Sequence, residues 1–112
     1  MTFLGQAARF NAEIRDGRVL VNGKLVPVAA PKSTIGQANL YCRPWHLKPV
    51  HAGHGHHQGL ITGVRRLGSM RRIEVTQVDG TRLEIEAPLV ANLRVGEEIG
   101  LDIQDGVIFR EG

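Results

Sequence analysis

The sequence predicts an all-β protein, built as a small β-barrel or a two-lobed β meander with one short helical turn. Three observations carry that expectation. Apolar residues recur at every second position in several segments. Four Asn-Gly or Asp-Gly pairs punctuate these segments in a chain of 112 residues. No stretch carries the longer period of an amphipathic helix.

The alternation is clearest at the start. Ala8, Phe10, Ala12 and Ile14 are apolar, and Arg9, Asn11, Glu13 and Arg15 between them are polar. Leu83, Ile85 and Ala87 alternate with Arg82, Glu84 and Glu86. Ile99, Leu101 and Ile103 alternate with Gly100, Asp102 and Gln104. Side chains of a strand point to opposite faces in turn, so each pattern describes one buried and one wet face. Asp16-Gly17, Asn22-Gly23, Asp79-Gly80 and Asp105-Gly106 tolerate positive φ and suit tight hairpin turns. Strands are expected near 7–15, 18–22, 24–28, 37–43, 58–66, 70–78, 81–87, 98–104 and 107–110. The helical turn is expected over 88–93, with Pro88 in its first turn, where a missing N–H costs nothing.

Two stretches break the pattern. One is the loop 31–36. The other is 48–59, which holds four of the five histidines. The whole chain, 1–112, reads as one domain, either a single barrel-like unit or two packed lobes over about 1–50 and 58–112, joined by the histidine-rich loop. The strand 37–43 runs into Arg43-Pro44, where proline cannot continue a sheet ladder, and then into a short turn.

Composition excludes several classes. The chain is 42% hydrophobic and 22% charged, with a formal net charge of +3. No apolar run is long enough to cross a bilayer as a helix. A single cysteine rules out an internal disulfide and fits a reducing compartment. The cations are scattered among acids, and only five residues are aromatic, which argues against a nucleic-acid surface.

Few residues suggest chemistry. His51, His54, His56 and His57 could converge on a metal ion, since neutral imidazole binds zinc, nickel and copper. The loop offers no cysteine or carboxylate to complete such a site, and a solvated loop is the favoured reading. Cys42 shares an alternation set with Ala38 and Leu40, so it belongs in the core as a small hydrophobe. Trp45 is expected to pack beside the Arg-Pro corner. No nucleophile elbow and no phosphate-binding Gly-x-x-x-x-Gly-Lys-Ser/Thr loop occurs, so no catalytic residue is assigned. Arg65-Arg66 and Arg71-Arg72 flank the Gly68-Ser69 turn. With Arg43, they are the candidate anion contacts, because guanidinium forks match oxyanions. A solvated hairpin tip is the plainer reading of that cluster.

The order of these pieces resembles a known family. Phe3-Leu4-Gly5 opens the chain, and Leu40 to Leu47 carries the Arg-Pro-Trp corner. Ile61-Thr62-Gly63-Val64-Arg65-Arg66-Leu67-Gly68 precedes Arg72-Ile73-Glu74-Val75. Asp79-Gly80-Thr81-Arg82-Leu83-Glu84-Ile85-Glu86 and Val95-Gly96-Glu97-Glu98-Ile99-Gly100-Leu101 follow. This set resembles the C-terminal regulatory region of ABC-importer ATP-binding subunits, which contains the transport-associated OB (TOBE) module, and most of all the sulfate/thiosulfate type. Position 46 is His where that family often has an acid.

The resemblance implies an OB-like barrel and an accessory regulatory or dimerisation role without ATPase activity of its own. It implies a piece of a longer sulfate-transporting ATPase, with the nucleotide-binding domain encoded upstream of Phe3 and Met1 not the native start. It implies a cytoplasmic place at the inner face of the membrane. The implied partners are the parent ATPase domain, a second ATP-binding subunit in a homodimer and, indirectly, the permease. No cofactor is implied for this chain; ATP and magnesium belong to the parent. Two other expectations compete: a free-standing OB-like nucleic-acid binder, and a sensor of sulfate or molybdate acting through Arg43 or the 65–72 cluster.

Overall fold

The structure is a computed structural model and describes residues 7–32, 34–89 and 91–109. The Phe3-Leu4-Gly5 opening lies outside the described residues. Those residues form two five-stranded antiparallel sheets and one 3-10 turn. In the first sheet β1 (Ala8–Arg15), β2 (Arg18–Val21) and β3 (Lys24–Val26) form a meander. β4 (Gly36–Cys42) lies on the other side of β1 and β10 (Val107–Phe109) beyond β4, giving the order β10-β4-β1-β2-β3. The second sheet contains β5 (Leu47–Val50), β6 (His57–Leu67), β7 (Met70–Thr76), β8 (Arg82–Pro88) and β9 (Glu98–Ile103), in the order β5-β9-β6-β7-β8.

The alternation read from the sequence sets the register. Ala8 opposes Cys42, Phe10 opposes Leu40 and Ala12 opposes Ala38, so all six side chains face inward together. Arg9, Asn11, Gln37 and Asn39 take the other face. A slip by one residue would reverse every one of these assignments. In the second sheet Ile73, Val75, Leu83, Ile85, Leu101 and Ile103 do the same. The inward side chains of both sheets form one hydrophobic cluster.

Neither sheet is drawn from one half of the chain. β5 leaves the first half to join the second sheet, and β10 returns from the second half to pair with β4. The second sheet curls. β6 pairs with β9 over His57–Leu60 and with β7 over Leu60–Leu67, and a bulge between Ile61 and Gly63 bends it between these two partners. The outer strands β5 and β8 come together, and the 3-10 turn packs on β8. This gives the barrel-like closure expected of a small all-β fold.

Two hairpin turns have the expected geometry. Asp16-Gly17 and Asn22-Gly23 both place two consecutive residues at positive φ, between 52° and 77°, as a two-residue primed turn requires. The other two signals act differently. Asp79-Gly80 sits in a wider loop, closed by the Gln77 N–H on the Thr81 carbonyl. Asp105-Gly106 is no hairpin, because β9 and β10 lie in different sheets.

Two further expectations need correction. The segment 88–93 is no helix among its described residues. Pro88 ends β8, and the Ala91 N–H closes one turn onto the Pro88 carbonyl; Val90 lies outside the described residues. The helical element is instead Pro44–His46, where Pro44 occupies the first-turn position. The strand β5 (Leu47–Val50) occupies the start of the stretch 48–59, which reads as a loop in the sequence and contains Pro49. Among the described strands β5 is bonded only to β9, and a proline is tolerated where its missing N–H faces away from the ladder.

Candidate functional site

The two crossings between the sheets are packed against each other. The first is Arg43-Pro44-Trp45-His46, between β4 and β5. The second is Gln104-Asp105-Gly106, between β9 and β10. The Gln104 N–H donates to the His46 carbonyl at 2.9 Å, and the Cys42 thiol lies 3.3 Å from the Asp105 carbonyl as its donor. A Cβ on Gly106 would stand 2.7 Å from Leu40 Cδ1, 2.9 Å from the Tyr41 carbonyl oxygen and 3.0 Å from Cys42 Sγ. Glycine is therefore required for the close approach.

At the first crossing the Arg43 N–H donates to His46 Nδ1 at 2.9 Å, and the His46 N–H donates to the Arg43 carbonyl at 2.9 Å. A side chain at the third helical position that accepts the cap residue's own N–H is one half of a capping box, a role an acid usually fills. The imidazole supplies that acceptor here. Trp45 is 57% exposed and meets His46 edge-on at 5.8 Å. It stands at the Arg-Pro corner but outside the core, because the 3-10 turn buries Pro44 and turns the next residue outward.

Cys42 is fully buried, as expected. Burial pushes its thiol from an ordinary value of 9.0 up to about 12, with the Asp105 charge a smaller cause. No base lies beside it among the described contacts, and burial disfavours its thiolate form.

The four loop histidines do not converge. Among the described residues no group of three or more His, Cys, Asp or Glu is placed to hold a metal ion. His51 and His54 are exposed. His56 is buried, and both its ring nitrogens are engaged. The Ile103 N–H donates to Nδ1 at 2.9 Å, and Nε2 lies 2.8 Å from the Leu25 carbonyl. An acceptor at Nδ1 and a carbonyl at Nε2 define a neutral ring with its proton on Nε2. His57 meets Phe10 edge-on at 5.1 Å, and Asn22 Nδ2 lies 3.2 Å from its Nδ1.

The loop is therefore clamped on both sides. Asn22 Nδ2 donates to the His56 carbonyl and Lys24 Nζ to the Gly55 carbonyl, each at 2.8 Å, from the β2–β3 hairpin. On the other side the His51 and His54 carbonyls press so closely on Gly100 of β9 that a Cβ there would overlap the His54 oxygen. The sequence reading of a free, solvated loop missed this. The available signal was the pair Gly55 and Gly100, since both lie where backbones touch.

The arginines divide between two faces of one hairpin. Arg65 opposes Arg72 across β6 and β7, and Arg66 opposes Arg71. Like charges placed opposite one another repel. Glu84 on β8 relieves the first pair: it lies 3.2 Å from Arg65 Nη2 and 3.3 Å from Arg72 Nη1, and Glu86 lies 3.5 Å from Arg72 Nη2. The Arg72 side chain is only 11% exposed. On the other face Arg71 Nη1 donates to the Ala91 carbonyl and Arg66 Nε to the Gly68 carbonyl. Arg43 stands at the crossing, away from the hairpin in the chain. No single cradle of five arginines forms.

A cleft of about 350 Å³ opens between the sheets, with Phe10 and Leu83 on its apolar side and His57, Asp79 and Arg82 on its polar side. The Asp79 carboxylate accepts the Thr81 hydroxyl at 2.6 Å and the Thr81 N–H at 2.9 Å. These bonds, the hydroxyl first, hold its carboxyl below the usual carboxylate range. Thr81 Oγ1 in turn accepts a bond from Gln77 Nε2 at 2.8 Å. The hydroxyl is thus tied into the turn on both sides, donating to Asp79 and accepting from Gln77.

Two antiparallel sheets, the second of them curled, tied by paired crossings and a clamped loop, define a small barrel-like all-β domain. The comparisons with known proteins fall on one group. The chain is 31% identical to the sulfate/thiosulfate import ATP-binding protein CysA of Rhodopseudomonas palustris, over 97% of its own length and 32% of that protein. It is 30% identical to the protein of the same name from Bradyrhizobium diazoefficiens, over 96% of this chain and 31% of that one. A third relative of that name, from Brucella melitensis, is 30% identical over 98% of this chain and 31% of its own. No protein-family model matches the chain. The chain spans about a third of the length of these curated relatives and is homologous to their C-terminal part.

Proposed function

We propose that this chain is the accessory regulatory domain of an ATP-binding subunit of a sulfate-type importer. The observation that carries the reading is the match of nearly the whole chain to about a third of proteins named as sulfate/thiosulfate import ATP-binding proteins. In this reading the chain is a TOBE-like, OB-class module. The order β5-β9-β6-β7-β8, with β5 and β8 drawn together, supports a five-stranded barrel of that class. The chain carries no Walker-type phosphate loop, so ATP hydrolysis belongs to a separate nucleotide-binding domain. The domain acts by contact, helping two ATP-binding subunits pair on the cytoplasmic side of a membrane permease.

A chimera tests the reading. This chain is grafted in place of the C-terminal third of the Rhodopseudomonas palustris relative, and sulfate uptake is measured in cells lacking their own importer. Uptake restored above that of the truncated relative supports the proposal. A chimera that folds, reaches the membrane and performs no better than the truncation overturns it.

Oxyanion sensing has narrower support. Arg65 and Arg72 already carry Glu84 and Glu86, so a sulfate contact at the hairpin falls to Arg66 and Arg71, whose guanidinium groups hold backbone carbonyls and no acid among the described residues. Amide shifts on adding sulfate would have to centre on the 66–71 turn. Diffuse shifts of the kind that ionic strength produces would reject that contact.

A further inference from the structure

His56 is the one buried polar or charged residue among those described, and it touches both sheets. Its Nε2 is held by the Leu25 carbonyl of β3 in the first sheet. Its Nδ1 accepts the Ile103 N–H of β9 in the second. A third group stands beside this arrangement without taking part in it: Asp102 Oδ1 lies 3.4 Å from the same Nδ1.

We infer that His56 is a proton-operated latch between the two sheets. The neutral ring can accept the Ile103 N–H only because Nδ1 carries a lone pair. A protonated ring has none and becomes a donor at both nitrogens. Protonation therefore expels the Ile103 amide and hands Nδ1–H to the Asp102 carboxylate, one residue away on the same strand. The bond from Nε2 to Leu25 is kept in both states. The switch exchanges a bond that pins the inner edge of β9 for an ion pair at its partly exposed face. The buried Ile103 N–H is left without a partner, an expensive state for a backbone donor. Acidification accordingly loosens the end of β9 and the 51–57 loop, while the Leu25 side stays tied.

One charged group meets the ring, and others stand on the neighbouring elements. Asp102 comes from β9. Lys24, from the β2–β3 hairpin, holds the carbonyl of Gly55 next to it. Lys48 of β5 is the register partner of Asp102, and His57 follows in the chain. The Asp102 carboxylate attracts a donor at Nδ1, and the two lysines lie farther off, on the Gly55 carbonyl side and across from Asp102. The direction of the exchange is thus set by Asp102, the one carboxylate within contact distance of Nδ1 among the described residues.

The test is an NMR titration of the 112-residue chain. Ring nitrogen shifts read the His56 tautomer and charge, and hydrogen exchange reads the Ile103 amide. At neutral pH the ring is expected to carry its proton on Nε2. As His56 titrates, Ile103 exchange, corrected for intrinsic pH dependence, is expected to rise at least tenfold. The amides of Ile73 and Ile85 stay protected. In Asp102→Asn the same loss of protection moves to lower pH, since the carboxylate that receives the proton-bearing nitrogen is gone. In His56→Gln, Ile103 exchange becomes insensitive to pH over that range. A ring protonated on Nδ1 at neutral pH overturns the inference. So does a His56 that titrates with no change at Ile103, or an Asp102→Asn transition at an unchanged pH. Should His56→Gln fail to fold, the Asp102→Asn titration decides alone.

Discussion

His46 Nδ1 accepts the backbone N–H of Arg43 at 2.9 Å, closing the 3-10 turn that carries the chain from the first sheet to the second. The relationship explains how this sequence closes the corner with a histidine at position 46. What the turn needs is an acceptor three residues on, and a neutral imidazole nitrogen meets that need as a carboxylate oxygen would. His46→Glu should therefore preserve stability to within about 0.5 kcal/mol, whereas His46→Ala loses the acceptor and should cost about 1 kcal/mol. Urea unfolding of both variants checks this. Equal losses in the two would show that the ring matters for packing on Trp45 and not for capping.

Gly106 is the contact point of the two crossings. An alanine methyl there meets Leu40, the Tyr41 carbonyl and Cys42 at 3.0 Å or less. The backbone carbonyl cannot rotate away, and Leu40 is fully buried. Gly106→Ala should destabilise the protein by about 1–3 kcal/mol, the range for overpacking a filled interior. Thermal unfolding should show a lower midpoint, with the β10 amides exchanging fastest of the first sheet. An unchanged midpoint would mean that the crossings are not packed as closely as the structure has them.

Cys42 should be inert in the native state. Its thiol is buried, and its ionisation is pushed up to about 12. A thiol-specific reagent should label the folded chain only at the rate of global unfolding and label it at once in denaturant. The same shift has a consequence at high pH. The folded-state value lies above the unfolded one, so its favourable effect is complete below the unfolded value near 9 and is lost as pH rises from there toward about 12. Cys42→Ala removes that titration. Its alkaline loss of stability should begin at higher pH than that of the parent chain, and identical alkaline limbs would rule out a buried thiol as their source.

The sequence carried much of this fold. The alternation in β1, β4, β8 and β9 is nearly perfect, because one face of each strand is buried and the other wet, and that contrast is written residue by residue. Asp16-Gly17 and Asn22-Gly23 were equally legible, since few other pairs accept positive φ twice in succession. The crossings were not. Asp105-Gly106 has the same composition as a hairpin turn, but which sheet the next strand joins depends on contacts with Leu40 and Cys42, more than sixty residues away. β5 was hidden by Pro49, whose cost vanishes at the outside of a ladder. His56 was hidden among three more exposed histidines, because nothing local distinguishes a ring that will meet Leu25 and Ile103. The arginine cluster was legible as residues and misleading as a site: strand pairing splits it between two faces, and β8 supplies the acids.

Glu84 should be the acid on which that hairpin depends. It bonds Arg65 and Arg72, which otherwise face each other across β6 and β7. Arg72 is mostly buried and Arg65 is 61% exposed, so the two halves of the network differ in worth. Glu84→Gln should cost about 1–2 kcal/mol, less than a fully buried pair because Glu84 itself is partly exposed. Arg65→Gln should change stability by less than about 0.5 kcal/mol. A double-mutant cycle between positions 72 and 84 should give the larger coupling. A larger coupling between 65 and 84 would reverse the ranking that burial predicts.

Trp45 is the chain's single tryptophan, so its environment can be read without ambiguity. At 57% exposure, its indole stands out from the crossing, with the His46 ring edge-on to it. Native fluorescence should be red-shifted, and acrylamide should quench it nearly as well as in the unfolded chain. Trp45→Ser should alter stability by no more than about 0.5 kcal/mol, as expected for a surface position outside the core. Exposed tryptophan is unusual on a surface that only meets water, and large aromatics are enriched where protein surfaces meet. The chimera proposed above therefore offers a second reading of the same probe. If this crossing faces the rest of an ATP-binding subunit, acrylamide quenching of a chimera retaining only this tryptophan should fall relative to the isolated chain. Equal quenching in the two would place the contact elsewhere on the domain.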